Sequence, residues 1–163
     1  MQARYEIFFL DESIFALIPY LTKGWFVKGS RPTMKVINNS NQKTGVFGAL
    51  GVGKSITKLS TKINGKKYLS FIKCLNKNHK KLCIIVDNAT WHLTKDVMNF
   101  IKQKEIKLIR LPPYSPELNP IEQCWKNVKN WLGTRVWSSF PELTKQLQIA
   151  LKKDFLMPEI YHY

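Results

Sequence analysis

The chain is short of acids, short of arginine, and too poor in cysteine for a crosslinked framework. Only 11 of its 163 residues are Asp or Glu, and none falls between Glu12 and Asp87, a stretch holding fourteen lysines and arginines. Arginine occurs only as Arg4, Arg31, Arg110 and Arg135, so the formal net charge of +15 rests mostly on lysine. Such an imbalance gives a long-range field suited to a polyanion. A lysine-rich composition inherited from an AT-rich genome, also suggested by the many Asn and Ile residues, would produce the same field. Cys74, Cys83 and Cys124 are odd in number and far apart, which suggests neither disulfides nor a zinc site and fits a reducing cytosol. Long apolar runs are missing as well. Ile14 to Leu21 is the longest, contains Pro19, and is too short to span a bilayer. Asp11 and Glu12 interrupt the N-terminal apolar stretch, so no signal-peptide layout is present. No strongly amphipathic basic helix stands out either, and a membrane role is not expected.

What remains is ordinary apolar content and enough length for one domain, a sheet covered by helices. No repeat, low-complexity tract or linker interrupts it. Residues 4–10 alternate loosely and close on a carboxylate, Asp11, as a strand would. Residues 14–43 read as irregular, with Gly24, Gly29 and Pro32 around a short aromatic piece, Trp25-Phe26-Val27. Residues 44–52 and 56–63 suit a strand pair joined around Gly51 and Gly53, followed by a tight turn at Asn64-Gly65. Tyr68, Phe71, Ile72 and Leu75 fall at helical spacing within 67–78. Residues 82–86 form a continuous apolar run, the pattern of a strand buried on both faces. Thr94 is placed to N-cap a helix bearing Val97, Phe100 and Ile101. A short strand follows from Ile106 to Leu111. Asn119-Pro120-Ile121-Glu122 then supplies an N-cap, a proline and an early acid for a helix burying Ile121, Trp125, Val128 and Leu132 and stopping at Gly133. A last helix is expected at roughly 141–153.

Three carboxylates fall at rigid points of this scheme: Asp11 and Asp87 at strand ends, Glu122 in the first turn of a helix. Each has a plain explanation. Asp11 can simply end a strand, Asp87 with Asn88 can make a polar turn, and Glu122 suits a capping box and pairs with Lys126 four residues on. Together, in a chain with so few acids, they are the hard oxygen donors that a pair of Mg²⁺ ions about 3.5–4 Å apart requires for phosphodiester chemistry.

FLDES at 9–13, VDNATWH at 86–92 and LPPYSPELNPIEQCW at 111–125 resemble the three signature blocks of D,D-E transposases, closest to the bacterial insertion-sequence branch of the mariner superfamily. The thirty-four residues between Asp87 and Glu122 match that group's spacing, and GWFVKGSRP at 24–32 and VFGAL at 46–50 resemble its intervening segments. The resemblance implies an RNase H-like α/β fold, a central mixed five-stranded sheet flanked by helices, and a single catalytic domain over residues 1–163. It implies that Asp11, Asp87 and Glu122 are the catalytic residues and hold two Mg²⁺, with Mn²⁺ as a possible substitute. The implied activity is DNA strand cleavage at transposon ends followed by strand transfer into a target. Asn88 and His92 match the second block and are implied to orient the site, although a hydrogen-bonded structural histidine is an equal reading of His92. Glu12 is a rival ligand, but strand alternation sends its side chain to the face opposite Asp11.

Lys126 and Lys129 share a helix face with Glu122 and are candidates for phosphate contact, or simply a solvated helix face. Lys54 and Lys58 are candidates on the strand pair, and Trp91, beside Asp87, for touching DNA. Trp125 and Trp131 read as core. DNA is the expected partner, with a homodimer on DNA by resemblance and a cytoplasmic, nucleoid-associated location in a bacterium. The helix-turn-helix region that precedes the catalytic domain in such transposases is expected to be absent, because the first block begins about ten residues from Met1. That leaves a second reading frame served by a separate recognition chain, a fragment, or a decayed DNA-binding remnant without activity. GALGVGKS at 48–55 also satisfies the phosphate-loop pattern of P-loop NTPases. A true phosphate loop follows a buried strand and opens a helix, whereas polar residues precede this one and β-branched residues follow it.

Overall fold

The computed structural model describes residues 4–20, 27–30, 33, 37–79 and 81–154. The Trp25-Phe26 part of the aromatic piece lies outside them. Five strands form one mixed sheet: β1 (Glu6–Leu17), β2 (Asn39–Gly51), β3 (Lys54–Ser60), β4 (Leu82–Val86) and β5 (Lys107–Arg110), in the order β3-β2-β1-β4-β5. The pairs β1–β2 and β2–β3 are antiparallel, whereas β4 runs parallel to both β1 and β5. The helices are α1 (Gly65–Lys77), α2 (Lys95–Gln103), α3 (Ile121–Gly133) and α4 (Phe140–Ala150). This is the mixed five-stranded sheet with flanking helices that the sequence led us to expect.

Side-chain alternation divides the molecule into two cores. Phe8 and Leu10 of β1, Phe47 and Ala49 of β2, and Ile84 of β4 pack under Tyr68, Phe71 and Ile72 of α1 and Val97 of α2. On the other face, Phe15 and Leu17 of β1 and Val46 and Leu50 of β2 pack under Trp125, Val128 and Leu132 of α3 and Leu143 and Leu147 of α4. Each fully buried side chain of this kind contributes roughly 1.5–3 kcal/mol. The central strand thus presents alternate residues to two different environments, and that decides the fate of its acids.

Several local expectations change. β1 does not stop at Asp11 but continues to Leu17, and β2 starts at Asn39, because Ile14 to Ala16 pair with Lys43 to Gly45 in an extended ribbon. Residues 40–43 are exposed and polar, so no apolar alternation advertised that ribbon. Asn64-Gly65 is the start of a helix rather than a hairpin turn: Asn64 Oδ1 accepts the Lys67 N–H at 3.0 Å. Thr94 stands at the N-cap of α2 without a capping side-chain bond. The α3 cap also shifts by one, with Pro120 as the flanking residue and Asn119 Oδ1 accepting the Ile121 N–H at 3.4 Å. Residues 48–55 are the end of β2, a turn at Val52-Gly53 and the start of β3, with Gly53 at φ 61°. Gly48 and Ala49 face Thr57 and Ile56 across the hairpin. Backbone groups that would cradle a phosphate are therefore engaged in strand pairing, and no helix opens behind Ser55. Among the described residues no helix is long and apolar enough to cross a membrane.

Candidate catalytic cleft

The last parallel rung between β1 and β4 joins Phe9 to Ile85, and two residues beyond it stand Asp11, within β1, and Asp87, just past the end of β4. The chain after β5 is pulled against the same end, the Leu111 N–H meeting the Val86 carbonyl at 2.8 Å. Asn88 Nδ2 donates to the Leu111 carbonyl at 2.9 Å and so ties the Asp87 loop to the proline loop. Asn119, only 4% exposed, donates from Nδ2 to the Leu10 carbonyl at 3.4 Å, which fastens the start of α3 beside Asp11. Glu122 then projects from the first turn of α3, where a negative charge is favoured. Asp11, Asp87 and Glu122 line one cleft of about 400 Å³, together with Asn88, Asn119 and the loop 111–116. Tyr114, on its rim, is wholly exposed and holds φ 56°, an uncommon conformation for a non-glycine residue.

Asp11 is perturbed by its burial. Burial pushes its carboxyl up to about 7; the Glu12 main-chain N–H opposes the rise, and the charge of Glu122 adds to it. One Asp11 oxygen is fixed by the Trp125 indole, Nε1–H to Oδ2 at 2.7 Å. Trp125 reaches it because Gly48 lies opposite Asp11 in the sheet and has no side chain; a Cβ there would lie 2.6 Å from the Trp125 ring. The Asp87 side chain is about half exposed, and its Oδ1 accepts the Ala89 N–H at 2.9 Å. Among the described residues no three Asp, Glu, His or Cys side chains already close on a common point as a finished metal cage.

Glu12 takes the opposite face, as alternation requires. Its side chain is 4% exposed, accepts the Trp91 indole N–H at 3.0 Å, and meets His92 Nε2 at 3.1 Å. His92 is fully buried against Tyr68, with ring centroids 4.4 Å apart. Its Nδ1 lies 3.0 Å from Asp87 Oδ1, although off the line of a good hydrogen bond. Burial alone would hold the imidazole pKa down, but the Glu12 hydrogen bond and charge outweigh it, Asp87 adds to them, and the net shift is upward.

The basic candidates do not gather at the cleft. Lys126 and Lys129 are exposed on α3, with Lys129 Nζ 5.9 Å from the centre of the Phe15 ring. Lys54 is held by Glu6 at 2.7 Å near the start of β1, and Lys58 reaches toward Ser70 of α1 at 3.5 Å. Trp91 is half-buried in the turn Thr90–Leu93 with its N–H turned to Glu12. Sequence reasoning took Trp125 for core alone. The signal for its second role was its place three residues after Glu122, on the same helix face.

A family profile described as DDE superfamily endonuclease matches residues 6–144. The insertion element IS630 uncharacterized 39 kDa protein of Shigella sonnei is 26% identical over 130 residues, covering 76% of this chain and 38% of that protein. Among solved structures, the Mos1 strand transfer complex superposes with a TM-score of 0.73 at 19% identity, over 94% of this chain and 49% of the other. The Mos1 mariner paired end complex with Mn gives 0.71 at 19% identity, over 93% and 50%. These structural likenesses establish the fold, the RNase H-like one. The chain spans half or less of the length of the curated relatives it matches.

Proposed function

This chain belongs to the DDE superfamily endonuclease family, and we propose that it is the part of a transposase that cuts DNA at transposon ends and transfers the freed strand into a target. The observation that carries the reading is the convergence of Asp11, Asp87 and Glu122, from three separate elements, on one cleft. The donor set suits Mg²⁺, with Mn²⁺ as a substitute, because all three groups are hard oxygens. Half-buried Asp11 beside the charge of Glu122 is an arrangement that a divalent cation would relieve. Two such ions, when bound, would supply an activated attacking oxygen and charge for the leaving one.

The protein's own contribution is to hold the donors. Trp125 fixes Asp11 by one oxygen, the Ala89 N–H fixes Asp87 by one oxygen, and Asn119 anchors the helix that carries Glu122. Asn88 fastens the loop that walls the cleft, and His92 Nδ1 stands 3.0 Å behind Asp87 Oδ1. Lys126 and Lys129, a turn and two turns along α3 from Glu122, are the residues we assign to phosphates flanking the cut; Lys54 and Lys58 would serve DNA lying across the hairpin. Trp91 has only its ring left for a base, since Glu12 occupies its N–H. Two copies acting on paired ends belong to the same proposal.

Plasmid nicking by the purified chain with Mg²⁺ or Mn²⁺, beside Asp87→Asn, tests it. Metal-dependent nicking that the substitution abolishes is expected. Metal-independent nicking, or nicking that Asp87→Asn leaves intact, would sink the assignment, and DNA binding without nicking would point to an inactive remnant.

A further inference from the structure

We propose that Glu12 is a positioning residue for Asp87, acting through His92, and is not itself a ligand. The inference rests on the reading of Asp87 as a metal-holding group. A carboxylate with 4% of its side chain exposed is costly to bury, and buried carboxylates with polar partners are often no more stabilising than apolar side chains of similar size. Its burial among these two partners points to a directional task. Glu12 faces away from the cleft, so that task is not contact with substrate or metal.

His92 supplies the connection. Its ring lies tilted against Tyr68, with centroids 4.4 Å apart, and has no exposed surface, so it cannot turn freely. Glu12 takes Nε2 from one side with both oxygens, at 3.1 and 3.2 Å, which sets the ring so that Nδ1 faces Asp87. Asp87 needs such support because it lies just past the end of β4 with about half its side chain exposed. The Ala89 N–H and His92 both approach Oδ1, leaving the other oxygen for the cleft that Asp87 lines. Partners of this kind behind a metal-binding group typically matter about 10–100-fold in metal affinity.

The test is Mn²⁺ affinity of the full chain, read by electron paramagnetic resonance of free Mn²⁺, with circular dichroism and thermal unfolding of each variant. Glu12→Gln, whose amide can still engage both Trp91 and His92, should stay within about threefold of wild type. Glu12→Leu and His92→Phe should each remain folded yet lose about 10-fold or more, and the double variant should lose no more than either single one. A folded Glu12→Leu chain with wild-type affinity overturns the inference. If Glu12→Leu does not fold, His92→Phe decides, because unchanged Mn²⁺ affinity there also overturns it. Affinity lost in Glu12→Gln but kept in His92→Phe would make Glu12 a ligand instead. A wild-type chain that takes up no Mn²⁺ overturns the functional reading together with this one, a result distinct from variants that merely match wild type.

Discussion

Asp11 and Glu12 are neighbours on one strand, carry the same functional group, and each accept an indole N–H, yet they sit in opposite worlds. Asp11 faces α3, takes its bond from Trp125, and opens onto the cleft; Glu12 faces α1, takes its bond from Trp91, and is sealed under His92. One step of strand pleat separates a carboxylate that lines the cleft from one sealed against Trp91 and His92. The lesson concerns reading acids in sequence. The type and number of carboxylates suggest metal chemistry, but the face each one occupies decides which take part.

The strongest way to break the comparison is to remove the open acid. Asp11→Asn should reduce metal-dependent nicking to background while leaving the melting temperature unchanged or higher, since a carboxyl raised to about 7 by burial is strained as an anion. Nicking assays paired with thermal unfolding check both halves. A variant that retains nicking would remove Asp11 from the catalytic set.

The two indoles offer a finer contrast. Trp125→Phe keeps most of the buried ring but deletes the hydrogen bond to a partly buried carboxylate, for an expected loss of about 1.5–3 kcal/mol in urea unfolding, with weaker nicking. Trp91→Phe should fall at the lower end of that range, because Trp91 is half-buried and Glu12 keeps His92 as a second partner. Equal losses would mean that the two anchors are not graded by burial. Gly48→Ala approaches the same contact from the sheet side. Its Cβ would stand 2.6 Å from the Trp125 ring and 2.7 Å from Ile121, so overpacking of about 1–3 kcal/mol is expected, with Trp125 pushed from Asp11. A Gly48→Ala chain as stable and active as wild type would show that the close approach is dispensable.

Much of this was legible in sequence, and the remainder was hidden for definite reasons. The apolar run at 82–86 and the helical stripe of Tyr68, Phe71, Ile72 and Leu75 follow from periodicity, and the order of strands and helices from periodicity together with turn and capping residues. The extension of β1 to Leu17 was not visible, because its partner Asn39 to Lys43 is polar and gains order only by pairing. Asn64-Gly65 has the composition of a turn, and only the following amphipathic helix turns Asn64 into a cap. In the site, the acids and their spacing were readable, as was the opposite facing of Glu12. The bonds Trp125 to Asp11 and Trp91 to Glu12 span 114 and 79 residues, and no local pattern can report contacts that the folded sheet creates.

Glu6 extends the comparison to a third acid on β1 and gives the smallest expected effect. It lies on the same strand face as Glu12 but at the far end, where it bonds Lys54 at 2.7 Å and stands 2.9 Å from His79 Nδ1 with more than a third of its side chain exposed. Lys54 first and His79 second lower its pKa below 4.5. A depressed carboxylate stabilises the fold above its unfolded value and loses that contribution as pH falls through its folded value. Lys54→Ala should therefore lower stability at neutral pH by under about 1 kcal/mol, as expected of a solvent-screened pair. The gap between variant and wild type should close on acidification below 4.5. Urea unfolding across that range is the measurement. A gap that persists in acid, or that rivals the loss from Trp125→Phe, would mean that Lys54 acts through packing and not through the charge of Glu6. Depth in the sheet would then no longer rank the three acids of β1.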